Sequence, residues 1–196
     1  MPQVEQLFGL AGAVQSDVAA LAVSIGPGSF TGLRIGLTTA KTLAYAWGKP
    51  IVGVPTLEAL AYGCPCADGW VAALLDAQKG RVYRAIYRWQ AGRLCEVSPV
   101  EIAPATAVVA ELAALPAPVM LVGESVREHR ALIDATNGRV VAAPEAALMP
   151  RAAVVALLGY EKWQQGTAVR PEELNPFYVR RAEAEELWER RLREKA

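Results

Sequence analysis

Gly26-Pro27-Gly28-Ser29-Phe30-Thr31-Gly32-Leu33-Arg34 is the stretch whose residue types and spacing could do chemistry. It joins an apolar run to a segment of helical periodicity, where unpaired backbone N–H groups and the helix dipole favour an anion. Gly26, Gly28, Ser29 and Thr31 are the candidates there for contact with a phosphate or nucleotide. The alternative is purely structural: the glycines make a tight turn and let helix and strand pack closely. Neither standard phosphate motif is present. No glycine precedes a Gly-Lys-[Ser/Thr] at P-loop spacing, and the glycines read G-x-G-x-x-x-G instead of the dinucleotide G-x-G-x-x-G. Arg34 stands in the first turn, where the dipole disfavours a cation, so it either reaches out to a carboxylate or phosphate or is solvated.

Other reactive side chains do not assemble into a set. His129 is the sole histidine, flanked by Glu128 and Arg130, and reads as a solvated surface residue. Ser29 lacks the G-x-S-x-G elbow because Pro27 takes the first glycine position. Cys64-x-Cys66 has no companion ligands, and Cys95 stands apart. Asp76 could hold a metal, but its commoner role is to cap the turn at Gln78 and Gly80. The residues point to no catalytic group and no metal ligand set.

The elements that must position the loop follow from patterning. Residues 18–25 form a nearly continuous apolar run, the mark of a strand buried on both faces. A helix over 31–47, closed by Gly48 and Pro50, leads to a second buried strand over 51–54. Strand, helix and strand make a parallel unit with a crossover. Within that helix, Gly32, Gly36 and Ala40 recur every four residues as a smooth stripe, and Leu33, Leu37, Ala40, Leu43 and Trp47 make an apolar one. One stripe can face the sheet and the other a partner; the alternative buries both inside this chain. Upstream, residues 3–13 read as a helix with Val4, Leu7, Phe8, Leu10 and Ala11 on one side. Downstream come a helix over 56–62, strands over 70–76, 81–90 and 93–102, and a helix over 106–114. A strand over 118–123, a helix over 125–135, a strand over 139–143, a helix from Pro150 to about 165 and a charged helix over 182–195 follow. The middle strand alternates Tyr83, Ala85, Tyr87 and Trp89 with Arg84, Ile86 and Arg88, which predicts one wetter face. The class is α/β. The turn formers of residues 63–69 mark the boundary between an N-terminal lobe, 1–66, and a C-terminal lobe, 67–196.

Composition narrows the function classes. The chain has 196 residues, 20 Lys+Arg against 20 Asp+Glu, and 53% hydrophobic residues, enough for a packed core. Zero formal charge argues against a surface that holds nucleic acid by itself. No apolar run reaches the ~18–20 residues of a membrane helix. Three cysteines make no disulfide framework, and the expectation is a reduced, cytoplasmic protein.

Three segments together carry a resemblance: Gly26-Pro-Gly-Ser-Phe-Thr-Gly-Leu-Arg-Ile-Gly36, Ile51-Val-Gly-Val-Pro-Thr-Leu-Glu58 and Leu75-Asp-Ala-Gln-Lys-Gly-Arg-Val-Tyr83. With Pro176-Phe-Tyr-Val-Arg180 as a weaker fourth, the chain resembles the TsaB (YeaZ) family over nearly its whole length. The resemblance implies an actin/Hsp70-like (ribonuclease H-like) two-lobe fold. It also implies a non-catalytic role in forming N6-threonylcarbamoyladenosine at position 37 of tRNAs that read codons starting with A. The implied partners are a TsaD-like transferase subunit and a TsaE-like ATPase, with ATP/ADP and metal held by those subunits and no cofactor in this one. A homodimer is implied when the chain is alone, with tRNA met only through the complex. The family's interface helix falls on residues Gly32, Leu33, Gly36, Leu37 and Ala40. Family members open with a strand bearing an Asp-Thr-Ser-like segment and two hairpin strands that have no counterpart here. The first lobe is therefore expected to be truncated at its N-terminal side, with an open sheet edge. Competing readings are an ATP-using phosphotransferase of the same superfamily and a glycoprotease-like peptidase.

Overall fold

The computed structural model describes residues 2–65 and 68–179. Cys66, the 182–195 segment and Arg180 lie outside those residues. Seven α-helices and seven strands are described, arranged around two sheets.

The first sheet pairs β1 (Leu21–Gly26) in parallel with β2 (Ile51–Pro55), joined by α2 (Phe30–Trp47) as the crossover. α2 starts where it does because Ser29 caps it: its Oγ accepts from the Gly32 N–H at 3.3 Å. It stops at Gly48, whose left-handed φ of 62° turns the chain out of the helix. β1 differs from the expectation of a strand buried on both faces. Leu21 to Ile25 are all half-buried, because β2 is its only strand neighbour among the described residues and its other edge stays open.

The second sheet has the order β5-β4-β3-β6-β7. β3 (Gly69–Asp76), β4 (Arg81–Gln90) and β5 (Arg93–Pro104) form an antiparallel meander, while β6 (Val119–Val122) and β7 (Val140–Ala142) extend it in parallel from β3. β3 is the centre: Val71 to Leu74 are fully buried between α3 (Thr56–Tyr62) and α4 (Ala105–Ala113). Val71 and Leu74 each contribute roughly 1.5–3 kcal/mol on burial. The wetter face expected of β4 is not wet. Arg84 is only 8% exposed, since α4 lies over that face and brings Glu111 to 3.5 Å while Glu101 on β5 sits at 2.9 Å. The guanidinium also donates to Ser98. An arginine buried this way is held by two carboxylates instead of water. Trp89, five residues on and therefore on the opposite face, stacks against Tyr62 of α3 at 5.5 Å.

The helix expected over 125–135 is two, α5 (Ser125–Glu128) and α6 (Arg130–Asp134), because His129 at φ −107° and ψ 18° leaves the helical region. His129 is half-buried at that joint, where its carbonyl accepts from Ile133. In α1 (Pro2–Ala11) only Val4 and Phe8 of the expected apolar side are shielded. Phe8 meets Trp47 at 5.9 Å, and Leu7 stays exposed.

Two late segments close the first sheet. α7 (Ala152–Gln164) places Val154, Val155 and Leu158 against Val54 and Ala59. Its Gly159 sits so close to β1 that a Cβ there would lie 2.3 Å from the Cβ of Ala22. Lys162 to Glu58 (3.1 Å) and the Tyr62 hydroxyl to Glu161 (2.6 Å) clamp α7 to α3. On the other face, beside α2, residues 167–178 form a strap, interrupted by a 3-10 turn at Pro171–Glu173. Val169 exchanges backbone bonds with Ile51 at 3.0 Å, Leu174 lies against Gly53, and its carbonyl accepts from Lys41 Nζ at 2.9 Å.

Candidate interaction site at the glycine loop and α2

The loop between β1 and α2 is closed on its inner side by the strap. Gly26 has φ 114°, a conformation that favours glycine, and a Cβ there would lie 2.8 Å from the Phe177 carbonyl oxygen and 3.1 Å from Leu33 Cδ1. The Phe177 N–H donates to the Ile25 carbonyl at 2.8 Å. Gly26 is thus a packing position, buried beneath the strap, and Ser29 Oγ is engaged as the helix cap. Gly28 and Thr31 are exposed. Ser24 Oγ and Thr56 Oγ1, 2.7 Å apart, tie the loop end of β1 to the start of α3.

Arg34 is exposed, as one of its two readings held, and it is also held in place by neighbours. Its guanidinium carbon lies 4.0 Å over the Phe30 ring, and its Nε donates to the Tyr178 hydroxyl at 3.3 Å. Tyr178 in turn packs on Phe30 with 5.1 Å between centroids. The cation lies over one aromatic ring, a contact worth about 0.5–1 kcal/mol at an exposed site, and donates to the hydroxyl of a second residue. Asp76 accepts from the Gln78 N–H at 2.7 Å and so caps the turn, as its commoner reading held. Among the described residues, no three of His, Cys, Asp and Glu converge as a metal set would.

α2 separates its two stripes. Leu37 (5% exposed) and Ala44 are buried, and Leu33 is half-buried against the loop, so these face the sheet and take no part in an outward surface. Ala40 lies half-buried at the boundary. Gly32 and Gly36 are exposed, and a Cβ at Gly36 would meet nothing within 4 Å. Beside them stand Ile35 (64% exposed), Thr39, Thr42 and Ala46, completing an outer face without a charge. Ile35 and the threonines were missed from sequence because only the four-residue repeat of small residues was followed. The positions diametrically opposite Leu37 and Ala44 would have found them. The strap's part was also missed, since Phe177 and Tyr178 reach the loop across the whole length of the chain. A cavity of about 500 Å³ lies at the far end of α2, lined by Tyr45, Lys49, Pro50 and Arg170 among others, away from the loop.

A family model described as TsaD, tRNA N6-adenosine threonylcarbamoyltransferase, matches residues 1–188. The chain is 35% identical over 191 residues to the tRNA threonylcarbamoyladenosine biosynthesis protein TsaB of Bacillus subtilis, covering 96% of this chain and 81% of that protein. It belongs to the TsaB/YeaZ family. The Escherichia coli protein of the same description is 41% identical over 90 residues, covering 45% of this chain and 39% of its own. A crystal structure of a Pseudomonas aeruginosa protein described as similar to the peptidase YeaZ superposes with a TM-score of 0.77 at 30% identity, covering 91% of this chain and 82% of that one. The five-stranded mixed sheet and this likeness bear out the actin/Hsp70-like, ribonuclease H-like class expected from sequence.

Proposed function

We propose that this chain is a non-catalytic partner subunit in the formation of N6-threonylcarbamoyladenosine on tRNA, docking a TsaD-type transferase through the outer face of α2. The observation that carries the reading is that face: Gly32, Ile35, Gly36, Thr39 and Thr42, exposed and uncharged along one side of an 18-residue helix. Small residues let a second helix approach closely, and an uncharged face leaves no ion to desolvate on contact. The relatives' description as threonylcarbamoyladenosine biosynthesis proteins supplies the pathway. The modified site is position 37 of tRNAs reading codons that start with A. In this reading the chain holds no cofactor of its own, while ATP or ADP and metal reside in the transferase and in a TsaE-like ATPase that joins it. It forms a homodimer through the same face when alone, meets tRNA only through the complex, and works in the cytoplasm.

The test is co-purification with a TsaD-type subunit. Wild-type chain should form a stable complex and Gly36→Leu should not, while far-UV circular dichroism of the variant is unchanged. ATPase and peptidase assays of the chain alone cover the other readings. Turnover in either, lost on Asp76→Asn or Ser29→Ala, would replace the scaffold reading with an enzymatic one.

A further inference from the structure

The break at His129 puts Arg127 near the end of α5 and Arg130 at the start of α6, and both side chains line one cavity. It holds about 620 Å³, a volume ordinary for a small-molecule site. Apart from Glu145 the rest of its lining is apolar: Val126, Ala142, Ala143, Pro144 and Leu148. The cavity lies past the carboxyl ends of β6 and β7, parallel neighbours joined through α5 and α6. Crevices at that end of parallel strands are where such sheets take ligands. It belongs to the second sheet, whereas α2 lies on the first.

Each guanidinium is neutralised by a carboxylate of this chain, Arg127 by Glu145 and Arg130 by Asp134 at 3.0 Å. Among the described residues neither guanidinium makes a further hydrogen bond. All four side chains are more than half exposed. Exposed pairs of this kind contribute little, and water solvates a released carboxylate at small cost. Glu145 stands on the 3-10 turn after β7 and Asp134 closes α6, so both side chains are able to swing outward without moving a strand. Two planar forks with two positive charges match a dianion whose oxygens accept from both, which is a phosphate monoester in preference to a carboxylate. The apolar lining requires that the ester carry an apolar group.

We propose that this cavity binds a small phosphomonoester with an apolar body, its phosphate held between Arg127 and Arg130 in place of Glu145 and Asp134. Glu145 and Asp134 hold the two arginines until the ligand displaces them. The site uses no residue of α2, so it stands or falls apart from the docking role given to that helix.

The probe is phenyl phosphate, a phosphomonoester on an apolar ring. It is titrated calorimetrically into the full chain in phosphate-free buffer, beside inorganic phosphate, a hexose phosphate and phenol. Phenyl phosphate should bind about tenfold more tightly than inorganic phosphate or the hexose phosphate, and phenol should not bind. Arg127→Gln and Arg130→Gln should each weaken it about tenfold or more. Glu145→Gln and Asp134→Asn should instead tighten it about two- to fivefold, because each removes a carboxylate that competes for an arginine. A gain in affinity does not come from a damaged fold, so these two variants keep the test decisive. Absence of phenyl phosphate binding up to about 10 mM would overturn the proposal. So would equal affinity for inorganic phosphate or the hexose phosphate, which would leave the apolar lining without a role. Weaker binding in Glu145→Gln would make that ion pair a structural tie and overturn it as well.

Discussion

Gly36 and Gly123 are both glycines in ordered backbone, yet their substitutions should be felt in different measurements. A side chain at Gly36 projects into open space in mid-helix, so Gly36→Leu should raise urea stability by about 0.5–1 kcal/mol while abolishing association through α2. At Gly123 the backbone has φ 106°, and a Cβ would lie 1.9 Å from the Leu74 carbonyl oxygen, a backbone atom that cannot step aside. Gly123→Ala should therefore cost about 3 kcal/mol or more, read as a lowered urea midpoint. A midpoint shift of less than a third of that would show that β3 and the loop after β6 part easily. Gly26 stands between these cases, because what its Cβ would strike is the strap. Gly26→Ala should free residues 174–178 from the loop, and chymotryptic cleavage after Phe177 should quicken while the second sheet stays resistant.

Among elements, β4 sets the alkaline limit. Burial, and then the carboxylates of Glu58 and Glu96, raise the pKa of the Tyr87 phenol far above its ordinary value of 10.0. A raised folded-state pKa means the contribution is complete below pH 10.0 and is lost as the pH climbs beyond it, because only the unfolded chain can then release the proton. Urea stability should fall above that pH, and Tyr87→Phe should flatten the fall. An unchanged slope in the variant would mean other groups govern it. Tyr62 shifts in the same direction through its hydrogen bond to Glu161, so the α3–α7 clamp weakens in the same range. The period-2 alternation of β4 was legible in sequence, as were the glycine loop and its helix, since each is a local pattern. What covered them was not. Nothing near Arg84 announces that α4 will deliver Glu111, and nothing in Arg34 announces Tyr178, because both partners arrive by long-range packing. The same blindness gave β1 two buried faces, since an apolar run does not count its strand neighbours.

At the scale of the whole molecule, balanced charge should govern encounters with tRNA. With 20 basic and 20 acidic residues there is little counterion to release, so the isolated chain should bind tRNA weakly and with a shallow salt dependence. Filter-binding or anisotropy titrations between low and physiological salt would show it, and a steep slope would place a basic tRNA surface on this chain. The order in which the fold is completed follows from its connectivity. β1 and β2 are made within the first 55 residues, but the helix over one face and the strap over the other come from 152–178. Domains generally fold as they leave the ribosome, N-terminal parts first. Here β1 and β2 wait, half-covered, for segments that follow the whole second sheet in the chain. α2 then has a rigid backing only once residues 152–178 are in place, which leaves a chain terminated before them with nothing firm to offer a partner.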